Sequence, residues 1–249
     1  MRCIIHVGDM KCGSKAIQHW LCLNEQQLRD LGFFVSQELR AGCYHSYLAS
    51  YALDDRRSRN IARRECQVRH ARQVPAHRAD VRERLSREIS GLPADINTFI
   101  VSHEQLLSLR PREVARAIDL LRQHFRDVQV VAYIRRQDRQ FVSSWGQRLK
   151  TGIPHPRFFG RLRRKWSYLR MLETWEAHVG HESMSVRIFD RREFHAGCIV
   201  KDFCHTLGIP WGSDFCDAPI VNESIGANAQ RVLLASHMIH AMKSPLMRR

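Results

Sequence analysis

Residues 1–21 read MRCIIHVGDMKCGSKAIQHWL, and the turn at 8–15 sets the reading of everything after it. Ile4, Ile5 and Val7 are β-branched, as a buried strand requires. Ala16, Ile17, Trp20 and Leu21 recur at helical spacing. A strand therefore passes into a helix through Gly8-Asp9-Met10-Lys11-Cys12-Gly13-Ser14-Lys15, which holds two glycines, two lysines and a serine. Such a turn can aim backbone N–H groups and a helix N-terminus at one anion, usually a phosphate. By itself the segment also reads as an ordinary strand–helix turn with solvated lysines.

The same alternation continues outward. Strand-like runs lie at Cys3–Val7, Asn97–Ser102, Val128–Ile134 and Ser185–Phe189. Helical patterns follow them at Ser14–Leu31, from Pro111 to about Phe125, at Asp138–Leu149 and at Ile199–Leu207. Strands alternating with helices predict an α/β fold with a mostly parallel, doubly wound sheet flanked by helices. Ligands of such sheets bind at the carboxyl ends of the strands. The expected organisation is a single domain over 1–249, carrying an arginine-rich helical insertion at about 54–90.

The totals bound the partners. The 249 residues carry 40 Lys+Arg against 25 Asp+Glu, a net charge of +15, which argues for an anionic partner without choosing one. Eight cysteines without CxxC or zinc-ligand spacing, and no secretory segment ahead of Cys3, predict reduced and mostly buried thiols in a cytoplasmic protein. No apolar run reaches membrane-span length. Asp54–Glu88 holds eleven arginines against six acids, and 157–170 (RFFGRLRRKWSYLR) holds five arginines, one lysine and no acid. Both read first as solvated charged faces and second as surfaces for an acidic acceptor. Phe159, Leu162, Trp166, Leu169, Leu172 and Trp175 form the apolar stripe expected to face the core.

Three constellations carry chemistry. In the turn, Lys11, Cys12, Gly13, Ser14 and Lys15 are candidate phosphate ligands. The G-x-x-x-x-G spacing is that of a nucleotide P-loop, but Ser14-Lys15 reverses the Lys-Ser/Thr order that a magnesium-dependent NTPase needs. In VVAYIRRQDRQFVSS, Arg135 follows an apolar strand and Ser143 stands eight residues on. The arginine could supply a forked contact and the serine a single O–H to one phosphate; the alternative is an arginine paired with Asp138 and a solvated serine. In NTFIVSHEQLL, His103 and Glu104 follow the apolar strand directly and are candidate general bases.

The order of these motifs resembles the sulfotransferases that use 3′-phosphoadenosine 5′-phosphosulfate (PAPS), with their P-loop-like architecture. The run H-x-G-x-x-K-x-G-S before a helix with Ile17-Gln18 is similar to their 5′-phosphosulfate loop. YIRRQD with Ser143 resembles their 3′-phosphate site, and IVSHE the strand that bears the acceptor's base. FDRREF, IVKDFCHTLGIP and VNESI resemble the carboxyl-terminal part of bacterial-type members. Cys12 stands where the family usually has Ser or Thr, and Lys15 where it has another hydroxyl residue. The resemblance implies in-line transfer of a sulfuryl group from PAPS to a hydroxyl or amine of a small-molecule or glycan acceptor. The arginines favour an anionic acceptor. It assigns Lys11 to the leaving oxygen, Cys12, Gly13, Ser14 and Lys15 to the 5′ end of the donor, Arg135 and Ser143 to its 3′-phosphate, and His103 or Glu104 to the acceptor's proton. No metal and no nucleic-acid partner are expected. Three rivals remain: a P-loop kinase or NTPase, a basic non-catalytic nucleic-acid or polyanion binder, and a sulfotransferase fold without activity.

Overall fold

β1 (Arg2–Gly8) is buried along nearly its whole length and pairs in parallel on both sides. Its partners are β3 (Thr98–Ser102) and β4 (Asp127–Ile134), with β2 (Phe33–Val35) beyond β3 and β5 (Met184–Ile188) beyond β4. All five strands are parallel, in the order β2-β3-β1-β4-β5, as a doubly wound α/β sheet requires. The computed structural model describes residues 1–9, 11–57, 60–150, 168–217 and 226–243. The chain forms two compact units: residues 1–134 with 168–219, and residues 135–167 with 220–249.

The first unit holds the sheet and a core on each of its faces. Successive residues of a strand point to opposite sides. Cys3, Ile5 and Val7 accordingly join one apolar cluster, with α3 (Ser46–Ala52), α5 (Val74–Ser90), α6 (Pro111–Arg122) and α8 (Tyr168–Val179). Ile4 joins the other, with Ile17, Trp20 and Leu21 of α1 (Ser14–Leu23) and Val200, Phe203 and Leu207 of α9 (Ile199–Leu207). Asp202 of α9 is fully buried, and its carboxylate accepts from Tyr133 Oη (2.7 Å), Arg187 Nη2 (2.5 Å) and His195 N (2.9 Å). That network fastens α9 to β4 and β5. The second unit holds α7 (Gln137–Lys150) packed against α10 (Ala227–Lys243).

Several expectations need correction. The helix expected over Ser14–Leu31 breaks at Asn24, giving α1 and a separate α2 (Glu25–Asp30). Asn24 leaves helical backbone angles (φ −115°, ψ 26°), and its side chain is fixed there by Trp20 O, Cys216 O and Cys216 N. β2 had no strand signal, because three residues are too short to show a period. Gly32, at φ 81, turns the chain into it. Leu169 is 67% exposed and lies off the apolar stripe; Tyr168, Trp175 and Val179 are the buried positions of α8. The rest of the basic stretch at 157–170 lies outside the described residues. Of the eight free cysteines only Cys3, Cys12 and Cys204 are buried, fewer than expected.

The arginine-rich insertion, with α4 (Ile61–Glu65) and α5, is more than a solvated face. Val74, Val81 and Leu85 enter the core, and Arg63 is fully buried. The Leu53 carbonyl accepts from Arg63 (2.8 Å), Arg78 (2.8 Å) and Arg116 (3.2 Å). Glu113 pairs with Arg57 and caps the Arg110 amide. Several of these arginines thus satisfy carbonyls and carboxylates of the chain itself.

Two buried histidines make stability depend on pH. His6 bonds Ser102 Oγ through Nδ1 (2.6 Å), and His45 bridges Ser102 and the Ser36 carbonyl. Burial pushes His6 down to about 3, and burial likewise pushes His45 down to about 3. Unfolded imidazoles protonate near 6.5, so between about pH 6.5 and 3 the unfolded chain binds the extra protons and stability falls as pH drops. Each histidine sets a limiting slope of about 1.4 kcal/mol per pH unit. Urea midpoints should therefore fall steadily from pH 7 to pH 4, and His45→Gln should flatten that fall; a midpoint independent of pH would refute the assignment.

Candidate active site

The carboxyl ends of β1 and β3 are neighbours: His6 pairs with Ser102, and His103 N donates to the His6 carbonyl (3.2 Å). From Gly8 the chain must leave a strand held on both sides and enter α1. It does so through two left-handed residues, Lys11 (φ 68) and Gly13 (φ 74). A lysine there is strained, because its Cβ crowds the backbone, and such strain collects at functional turns. A Cβ on Gly13 would lie 2.3 Å from Ile199 Cδ1, and one on Gly8 2.2 Å from Ser14 Oγ. Gly13 is therefore required by both its left-handed backbone and close packing, whereas a side chain at position 8 would displace the Ser14 hydroxyl.

The first helical bonds of α1 run from Ala16 and Ile17 to the Gly13 carbonyl, so the earlier amides precede the ladder and the helix dipole points its positive end at the loop. Ser14 Oγ is buried there without a hydrogen-bonding partner among the described residues, and so are His6 Nε2 and both amide atoms of Gln18 one turn on. Buried polar atoms are almost always paired. An unsatisfied hydroxyl at a helix N-terminus fits an oxygen of an anionic group. Lys11 is half-buried and Lys15 exposed at this same turn. Cys12 differs from expectation: its side chain is buried in the core and its N–H donates to Asp9 O (3.1 Å), so the turn occupies the amide offered to the anion. Asp9 in turn accepts from Tyr168 Oη (2.9 Å), a contact with no sequence signal.

At the end of β3, His103 is 2% exposed. Its Nδ1 accepts from Gln105 N (3.0 Å), and its Nε2 lies 3.4 Å from Glu65 Oε2. Ser46 Oγ donates to the same Glu65 oxygen (2.5 Å). Burial would raise the Glu65 carboxyl, but hydrogen bonds from His103 and Ser46 and the nearby Lys15 charge outweigh it and hold the group below the ordinary carboxylate range. Glu104 is partly exposed beside this cluster, close enough to raise the Tyr44 hydroxyl together with burial, the larger cause. Glu65 was missed because it sits in a charged insertion 38 residues from His103.

In the second unit, Ser143 is buried on α7, and the hydroxyls of Ser143 and Ser144 have no hydrogen-bonding partner among the described residues. Arg135 is half-buried and follows β4 directly in the chain. The pairing with Asp138 belongs to Arg136, which makes a forked contact at 2.9 and 3.2 Å. Among the described residues no group of three His, Cys, Asp or Glu is placed to hold a metal ion.

No family model matches the chain. It is 32% identical over 112 residues to an uncharacterised protein of Archaeoglobus fulgidus, a match covering 45% of this chain and 30% of that protein's length. Among solved structures it is similar to a sulfotransferase from Alicyclobacillus acidocaldarius, at 13% identity, 95% of this chain, 91% of that one and a TM-score of 0.49. It is also similar to the sulfotransferase domain of the curacin biosynthetic pathway, at 10% identity, 91% of this chain, 81% of that one and a TM-score of 0.44.

Gly13→Ala tests the turn. A left-handed alanine costs about 1–2 kcal/mol, and the overpacking against Ile199 and Phe189 about 1–3 kcal/mol more. Thermal melts should show the loss, while Gly212→Ala, whose Cβ meets nothing within 4 Å, should melt like wild type. Equal melting of both variants would refute the close packing.

Proposed function

We propose that the protein transfers a sulfuryl group from PAPS to an acceptor hydroxyl or amine. The observation that carries this reading is the Ser14 hydroxyl, unpartnered among the described residues and buried at the N-terminus of α1 behind a strained, lysine-bearing turn with no room for a Cβ at Gly13. The order of the three motifs supports it, as does the buried, unpartnered Ser143 hydroxyl on the helix after Arg135.

The donor carries several negative charges, and more charge develops on the leaving phosphate oxygen. Lys11 would stand at that oxygen, where a preorganised cation stabilises the transition state. Gly13 would let the backbone approach the 5′-phosphate, Ser14 would donate its hydroxyl to it, and Lys15 would add positive charge at the rim. Arg135 and Ser143 would hold the 3′-phosphate, the arginine through a forked charge-assisted contact. The acceptor's proton would leave toward the cluster at the end of β3, where His103 and Glu104 stand.

Calorimetric titration with 3′-phosphoadenosine 5′-phosphate (PAP), with adenosine 5′-phosphate as control, tests the donor. Wild type should bind PAP more tightly, and Arg135→Ala should cost PAP about 1.5–3 kcal/mol while barely affecting the control. An equal loss for both ligands would rule out the 3′-phosphate role. Lys11→Ala should lower PAP release from PAPS by roughly 10²-fold, and near-normal release would remove Lys11 from the mechanism.

A further inference from the structure

The two ring nitrogens of His103 are both engaged. Gln105 N–H points at Nδ1, so Nδ1 is unprotonated and the proton sits on Nε2, which donates to Glu65 Oε2. With the ring 2% exposed, His103 offers an acceptor no open lone pair. Glu65 is the reverse case. Its side chain is 33% exposed; Oε2 is held by His103 and Ser46, and no hydrogen bond is made to Oε1 among the described residues. The insertion is itself tied down beside the strand end, since Asn60 caps α4 through Ala62 N and donates to Gln105 Oε1 (3.2 Å).

Resting on the transfer reading above, we propose that Glu65 takes the acceptor's proton, with His103 and Ser46 as positioning residues. The acceptor oxygen forms the new bond to sulfur. The bond between sulfur and the 5′-phosphate oxygen breaks, and its electron pair stays on that oxygen. The acceptor's proton passes to Glu65 Oε1 and then to solvent. The groups around the carboxylate are His103 from the end of β3, Ser46 from α3 and Lys15 from α1, with Tyr44 and Glu104 nearby. Three of them donate hydrogen bonds or carry positive charge, so Glu65 stays ionised at neutral pH and fixed in orientation. The arginine-rich insertion, on this view, brings the base to the site.

PAP release from PAPS is followed with benzyl alcohol and with water as acceptors, beside calorimetric PAP binding for each variant. Glu65→Gln should lower release by about 10²-fold or more, with PAP affinity within twofold of wild type. Glu83→Gln, exposed on the same insertion, should leave release unchanged. A base works only when deprotonated, so release should fall at acid pH. His103→Ala removes a donor to Glu65 and should move that acid limb to higher pH. The proposal is overturned if Glu65→Gln keeps a tenth of the release, if Glu104→Gln costs more, or if His103→Ala abolishes the acid limb. It is overturned equally if wild type binds PAP yet releases it no faster than Glu65→Gln. A wild type that fails to bind PAP brings down the donor reading first, and that result is separate from the others.

Discussion

Everything in the first unit follows from β1 being held on both edges and buried on both faces. A strand so enclosed can present chemistry only at its carboxyl end, and there the chain must turn sharply to start α1. The turn costs strain at Lys11 and demands glycine at 13. In return it brings the N-terminus of α1, the Ser14 hydroxyl and the Lys11 backbone into one short turn. Packing at this corner excludes other residues, because Ile199 and Phe189 leave no volume beside Gly13.

A second set of contacts surrounds the neighbouring strand end. His45 closes the gap between the segment after β2 and the end of β3, with its nitrogens on Ser102 and Ser36. Glu88 of α5 accepts from Ser36 Oγ and from the amides of Gln37 and Glu38. The insertion is therefore bound to the sheet at two places, through Glu88 and through Asn60 with Glu65. Arg57, Arg63, Arg78 and Arg84 are spent on carbonyls and carboxylates of the chain, which offsets part of the cost of crowding so many arginines together. Arg56, Arg64, Arg69, Arg72, Arg82 and Arg87 remain exposed, so the insertion keeps a basic outer face as well.

The alternation of strands and helices was legible from residues 1–21 onward, because a period of two or 3.6 is written into a few consecutive side chains. So were the two glycines of the turn, and His103 and Glu104 directly after an apolar strand. Local pattern failed at β2, which is too short to show a period, and at Asn24, whose side chain answers to Cys216. It failed at Leu169 for a different reason, since Leu169 and Trp175 both carry apolar side chains and only packing shows which one is buried.

The sequence by itself determined the α/β class, the alternation of strands and helices along the chain and the glycine-bearing turn after β1, because each depends on neighbouring residues. Only the tertiary structure decided that the Cys12 amide is spent within the turn, that Arg136 rather than Arg135 pairs with Asp138, and that Glu65 meets His103. Those outcomes depend on which polar groups are left facing each other once the apolar faces are buried, and no spacing along the chain encodes that choice.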